Sequence, residues 1–276
     1  MTSRRGLTLT ELLVTMVVMG IVGGAIAGLF ASQSRFYDQA GQSRRARYVA
    51  HTAIDAVLSD LRMVEATGGV VAPTSETVLT VDVPYAFGIM CSETGAATVA
   101  VFPVDPVLAG QARFSGFAWR DVDGNYTYVR TADGAALGGG MAATCIDNHI
   151  IPVPGAAVAT VAATMPVGAE IGTPVLLLQR VTYEFKESDA MPGRIALWRT
   201  IAGGRSDELV APFDETASFQ YYVEGEQDPQ STMPMSLSSI RGVQLHLDSE
   251  SDRAPRGSGF KKTQLVTAVF FNNVMR

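Results

Sequence analysis

The sequence predicts an α+β fold: one long N-terminal helix, its first half apolar and its second half amphipathic, packed on a C-terminal antiparallel β-rich domain. Three observations predict it. Residues 7–31 carry a single charge, Glu11. Residues 32–66 contain no proline and show an apolar stripe of helical period. From residue 77 onward the chain breaks into short alternating or apolar runs rich in β-branched and aromatic residues.

The helix comes first. About 25 helical residues from Leu7 to Ala31 extend roughly 37 Å, enough to cross a hydrocarbon core with some tilt. Thr8, Thr10 and Thr15 are the other polar side chains there. MTSRRG precedes the run, and by the positive-inside rule Arg4 and Arg5 place residues 1–6 in the cytoplasm and everything after residue 31 outside. A secretory signal peptide has an apolar core of about 7–15 residues and then a cleavage site; this run is longer and continues into polar helix. Ile54, Val57, Leu58, Leu61 and Val64 recur at spacings of three and four, with Asp55, Ser59, Asp60 and Arg62 on the other sides. Gly68 and Gly69 supply the stop. Gly20, Gly23, Gly24 and Gly28 each cost about 1 kcal/mol relative to Ala in a helix interior. They serve close helix approach or local melting, or they are simply tolerated, as glycine is in membrane helices.

Glu11 is the anomaly. A carboxylate at the bilayer centre costs about 2.5–3.5 kcal/mol on insertion scales, so it needs a partner or a function. The residues around it, GLTLTELLV (6–14), resemble the prepilin signal of type IV pilins and type II secretion pseudopilins: a short basic leader, a glycine before the cut, an apolar first mature residue and glutamate at the fifth mature position. That resemblance implies cleavage between Gly6 and Leu7 by prepilin peptidase and N-methylation of Leu7. It also implies pairing of Glu11 with the terminal amine of a neighbouring pilin, and a pilin-like fold. An amine of reference pKa near 8 is cationic at neutral pH, which suits that pairing. The alternative is an ordinary signal anchor.

The strands follow. TVLTVDVPYAF (77–87), ATVAVFPV (97–104), NYTYVRT (125–131), PVLLLQRVTYEF (174–185), RIALWRT (194–200), ASFQYYVEG (217–225), IRGVQLHLD (240–248) and TQLVTAVFFNNV (263–274) are the predicted elements. Residues 132–173, rich in Ala, Gly, Val and Pro, are expected to form a long loop or an added hairpin within the exported domain, 67–276. The order of the C-terminal elements, the helix segment LSDLRMV and an asparagine-containing tail are similar to PilW-type minor pilins and J-type minor pseudopilins. The resemblance implies a single-pass protein of the bacterial inner membrane that primes or caps a type IV pilus or a secretion pseudopilus, with other pilins as partners through the helix. The alternative is a tip adhesin, a ligand-binding module on the same anchor.

Composition narrows the function classes. A net charge of −6 gives no basic footprint for nucleic acid. Cys91 and Cys145 are the two cysteines, and in an exported domain a pair reads as one disulfide; two free buried thiols are the other reading. The histidines His51, His149 and His246 are scattered, and no nucleophile elbow or phosphate loop occurs. The expectation is a non-enzymatic protein without cofactor. Cys145, Asp147 and His149 cluster, but a structural zinc site needs about four ligands. In DVDGNY, Asp121, Asp123 and Asn125 alternate as a calcium loop opens, but position twelve is Ala132 instead of the closing glutamate. The other reading is an Asp-Gly hairpin turn.

Overall fold

The computed structural model describes residues 8–65, 68–91, 97–102, 113–121, 124, 126–136, 138–139, 143–150, 157–161, 168–255 and 259–271. The architecture is α+β and pilin-like: a long N-terminal helix followed by an antiparallel β domain.

The helix, α1, spans Leu9–Leu61. Beyond Gln42, its buried positions Ala46, Val49, Ala50, Ala53, Val57 and Leu61 lie on one face of the helix, and Val64 extends the stripe. Ile54 and Leu58 flank it, half-buried. Three alanines let the helix axis approach the sheet closely.

The helix closes five residues before the expected Ala66. Its last turn tightens, with the Met63 and Val64 amides donating to the Asp60 and Leu61 carbonyls. The chain then doubles back: Gly68 has φ +89°, and a Cβ at Gly69 would meet the Val64 side chain at 2.4 Å. Asp60, expected on a solvent-facing side, turns towards the sheet. The Tyr183 hydroxyl donates to it at 2.6 Å, and Arg199 donates from Nε and Nη2 at 3.2 and 3.0 Å. Tyr183 and Arg199 lie beneath this part of the helix, so the carboxylate is the cheapest way to satisfy both at a half-buried seam. Burial and the adjacent Asp60 charge push the Tyr183 phenol far above its ordinary value.

The strands are β1 (Val70–Val71), β2 (Val78–Met90), β3 (Ala97–Phe102), β4 (Arg113–Arg120), β5 (Tyr126–Ala136), β6 (Gly138–Gly139), β7 (Ala157–Val161), β8 (Pro174–Glu187), β9 (Ile195–Ile201), β10 (Ser206–Phe213), β11 (Ser218–Val223), β12 (Ile240–Glu250) and β13 (Lys262–Phe270). A short helix, α2 (Ala143–Asp147), lies between β6 and β7. All pairings are antiparallel.

Two long strands form the spine. β2 and β8 pair from Val78↔Glu184 to Ile89↔Pro174. One edge of β8 serves two neighbours: β4 along Val175–Leu178 and β9 along Val181–Glu187. The sheet therefore splits into two lobes. In one, α1 packs with β9–β13 on the lower spine around Leu79, Val81, Phe185, Phe219, Tyr221 and Leu245. The other encloses Met90, Phe114, Phe117, Trp119, Val175 and Leu177.

At the fork the backbone finds side-chain partners. The Arg180 amide donates to Ser115 Oγ at 3.1 Å, and the Arg113 amide to Gln179 Oε1 at 3.3 Å. Gly116, with φ +140°, takes the bend of β4; a Cβ there would meet the Val129 carbonyl oxygen at 2.3 Å. Asp82 lies opposite Arg180 in the spine and its side chain is fully buried. It accepts from Arg180 Nε at 3.1 Å and from Arg130 Nε at 2.7 Å. Arg130, on β5, also donates to the Gly68 carbonyl, so one buried carboxylate joins the spine, the far lobe and the exit of α1.

Of the two readings of 132–173, the described residues fit an added hairpin better than a long loop. β5 runs to Ala136, β6 pairs with β7, and β7 pairs with β3. The Ala-, Val- and Gly-rich composition of this stretch carries no polar alternation to mark these strands.

Asp82→Ala removes a buried carboxylate that two guanidiniums share. Chemical denaturation of the purified full-length protein in detergent should show a loss of about 3–5 kcal/mol. A loss below about 1 kcal/mol would mean that the two arginines are satisfied without it.

Candidate functional site in the N-terminal helix

The start of α1 is built around one carboxylate. Thr8 is the N-cap, in extended conformation, and its Oγ1 accepts from the Glu11 amide at 3.3 Å. In return Glu11 Oε2 accepts from the Thr8 amide at 2.9 Å and from Thr8 Oγ1 at 3.0 Å. This reciprocal arrangement is a capping box, and it holds the negative charge at the positive end of the helix dipole. Thr8-x-x-Glu11 is a readable capping signature in the sequence; the apolar run around it drew attention to the charge instead. Thr15 Oγ1 donates to the Glu11 and Leu12 carbonyls, both at 2.9 Å. The threonines are thus satisfied within their own helix, which suits a segment without water. Glu11 Oε1 receives no hydrogen bond among the described residues and remains open to a donor.

From Leu9 to Phe30 the helix is apolar on every side and exposed to its surroundings. It is long and apolar enough to cross a membrane. A Cβ at Gly20, Gly23, Gly24 or Gly28 would meet nothing within 4 Å, so no contact among the described residues requires those glycines. Gly6 and Leu7, the expected cleavage pair, lie outside the described residues.

The other sequence-derived candidates lie in the β domain. Cys91 follows β2 and Cys145 sits in α2, and they form a disulfide; the reading as free thiols is set aside. Asn148 Nδ2 donates to the Cys91 carbonyl at 2.7 Å beside the bridge, and both cysteines are buried. Bridging also removes Cys145 as a thiolate ligand for the Asp147–His149 cluster. Asp121 lies in the connection between β4 and β5, where the Gly124 amide donates to its carbonyl at 3.1 Å with φ +88° at Gly124. This is the geometry of a hairpin turn. Asp123 and Asn125 lie outside the described residues. Among the described residues no group of three His, Cys, Asp or Glu side chains could hold a metal ion. His51 is exposed on α1, His149 lies in the turn after α2 with φ 61°, and His246 Nε2 contacts Gln244 Nε2 at 2.6 Å on β12; the three are on separate elements.

A family model described as a prokaryotic N-terminal methylation motif matches residues 1–27. Neither a curated protein nor a solved structure matches the chain. The chain carries a prepilin-type N-terminal methylation motif, and together with its long apolar helix this is consistent with a type IV pilin-like protein. Such a motif is the substrate signal of prepilin peptidase, and the apolar helix suggests a membrane-anchored chain.

The bridge closes a loop across 54 residues of sequence, which spans β3 to β6. In the chain-entropy account it is worth about 4 kcal/mol. Cys91→Ala with Cys145→Ala should lower the denaturation midpoint, and thiol labelling of unreduced, denatured wild-type protein should find no free thiol. Two labelled thiols would overturn the bridge.

Proposed function

We propose that the protein is a minor pilin or pseudopilin, a structural subunit that primes or caps a thin filament of the type IV pilus or type II secretion class. Prepilin peptidase cuts between Gly6 and Leu7, and the Leu7 amine is methylated. The chain sits in the inner membrane by α1 with the β domain exported, until it is drawn into the filament.

One observation carries this reading: Glu11, a lone carboxylate in a helix otherwise uncharged from Leu7 to Ala31, at the fifth position after the glycine of a methylation motif. Its capping box satisfies Oε2 and leaves Oε1 available. The Thr8 donors are neutral, so they solvate the charge without cancelling it. A neighbouring chain's terminal amine supplies the missing positive charge. The function follows from position, with the helix in the filament and the β domain set by it.

Two tests follow. Intact mass of the membrane-extracted protein should match a chain starting at N-methylated Leu7, and Gly6→Ala should accumulate precursor, because the protease must approach a backbone without a side chain. Retention of residues 1–6 in wild-type protein would overturn the reading. Glu11→Ala should still insert and be processed, but recovery of filaments or of minor-subunit complexes should fall at least tenfold. Wild-type recovery at normal protein level would make the carboxylate incidental.

A further inference from the structure

The face of α1 that packs on the β domain does not end where the packing ends. Gln39, Arg35, Ser32 and Gly28 step back from Gln42 at spacings of three, four, three and four, in line with Ala46, Ala50, Ala53 and Val57 above. Gln42 is 5% exposed, whereas Arg35 and Ser32 are open to their surroundings. With Ala31 and Phe36, these residues line a groove of about 520 Å³ just beneath the domain. Its lower end is shallow, because Gly28 has no side chain and Ala31 a short one. Its upper end is polar and unsatisfied. Among the described residues the Arg35 guanidinium forms no ion pair, not even with Asp38 three residues on, and the side chains of Ser32 and Gln39 make no hydrogen bond.

Depth fixes what surrounds this groove. Arg35 lies four residues past Ala31, ~6 Å along the helix, and the headgroup layer adds about 5–7 Å beyond the hydrocarbon on each side. Phe36 and Tyr37, both strongly exposed, share that depth, where aromatic side chains collect at a membrane surface. On the expected orientation an arginine on this flank works against Arg4 and Arg5, so insertion does not explain it. The β domain limits the occupant further. A helix of another chain laid along this face would run into the domain from Gln42 onward, because the domain occupies the same stripe up to Leu61. The occupant has to reach from the hydrocarbon to the headgroups and end there.

We infer that this groove is a glycerophospholipid site. Arg35 and Ser32 hold the phosphodiester, Gln39 donates to it from above, and an acyl chain lies along Ala31 and Gly28. The inference rests on α1 spanning the membrane and not on filament assembly.

The test uses the full-length chain in its own membranes, with p-benzoylphenylalanine in place of Phe36, in the groove, or of Tyr37, outside it at the same depth. Irradiation should give a glycerophospholipid adduct at the Phe36 probe, read by mass. Arg35→Gln should cut that yield about tenfold and leave adducts at the Tyr37 probe unchanged. Arg35→Lys, which keeps the charge, should retain most of the yield. Arg44→Gln, farther from the membrane, should change neither. Equal losses at both probes would mean that Arg35 only sets the depth of the helix, and would overturn the site. A protein adduct at the Phe36 probe, or none, would overturn it too. Release of the chain from membranes by alkaline carbonate overturns the membrane placement and the site together. A chain that stays integral without an Arg35-dependent adduct loses the site alone.

Discussion

One helix has to satisfy two surroundings, and the rest of the structure follows from that. Up to Phe30, α1 presents apolar side chains in every direction; beyond Gln42 it buries only one stripe. The transition contains no proline and no break, so the exposed apolar half and the packed half form one continuous helix. The β domain is therefore held by how well it grips the last five turns. It grips with small residues, Ala46, Ala50 and Ala53, in the first part of the seam and with the larger Val57, Leu61 and Val64 further on, all fully buried. Ser249 Oγ donates to the Ala46 carbonyl at 2.7 Å, and Asp60 ties the far end to Tyr183 and Arg199. Polar locks at both ends of an apolar seam fix the register of the helix, which an alanine-rich stripe alone leaves free to slide.

The long spine extends the same logic away from the helix. β2 and β8 are shared by two cores, and the place where β4 replaces β9 as neighbour is where two backbone groups turn to Ser115 and Gln179. Asp82 is needed there because Arg130 and Arg180 converge on one buried point. A buried carboxylate between two guanidiniums contributes little to net stability compared with an apolar substitute, but it is costly to break. Its geometric effect is to couple the far lobe to the segment through which α1 exits.

The parts of this fold that were legible in the sequence are those with local periodicity. The stripe from Ile54 to Val64 and the strands β8 and β12 repeat at helical or strand spacing, whereas the helix stop expected at Gly68 and Gly69 comes earlier, at Leu61. β4 was missed because RFSGFAWR is buried at six consecutive positions, so it shows no alternation. β10 was missed because SDELVAPF opens with charges and ends near a proline. Asp60 stands off the apolar stripe and Asp82 inside a strand; their partners Arg199 and Arg180 lie 139 and 98 residues away, and no local pattern carries that distance. At the candidate site the reverse holds. Glu11 and its threonine cap are three residues apart, so both the anomaly and its local remedy could be read from nine letters.

That local remedy is incomplete, and the incompleteness matters. On the pilin-type reading, the unassembled chain keeps Glu11 in the membrane with neutral donors only. The capping box meets its hydrogen-bonding needs at Oε2, but a carboxylate among apolar side chains still bears an insertion cost of about 2.5–3.5 kcal/mol. On that reading, pairing with the cationic terminal amine of an adjacent chain, cut at its own glycine, removes much of that cost. The precursor offers a peptide nitrogen at that place instead of an amine. A desolvated charge therefore makes association depend on processing: uncut chains have nothing to give it, and cut chains gain by meeting. On the same reading, the glycines of this helix, which no contact among the described residues uses, leave room for that meeting at close range.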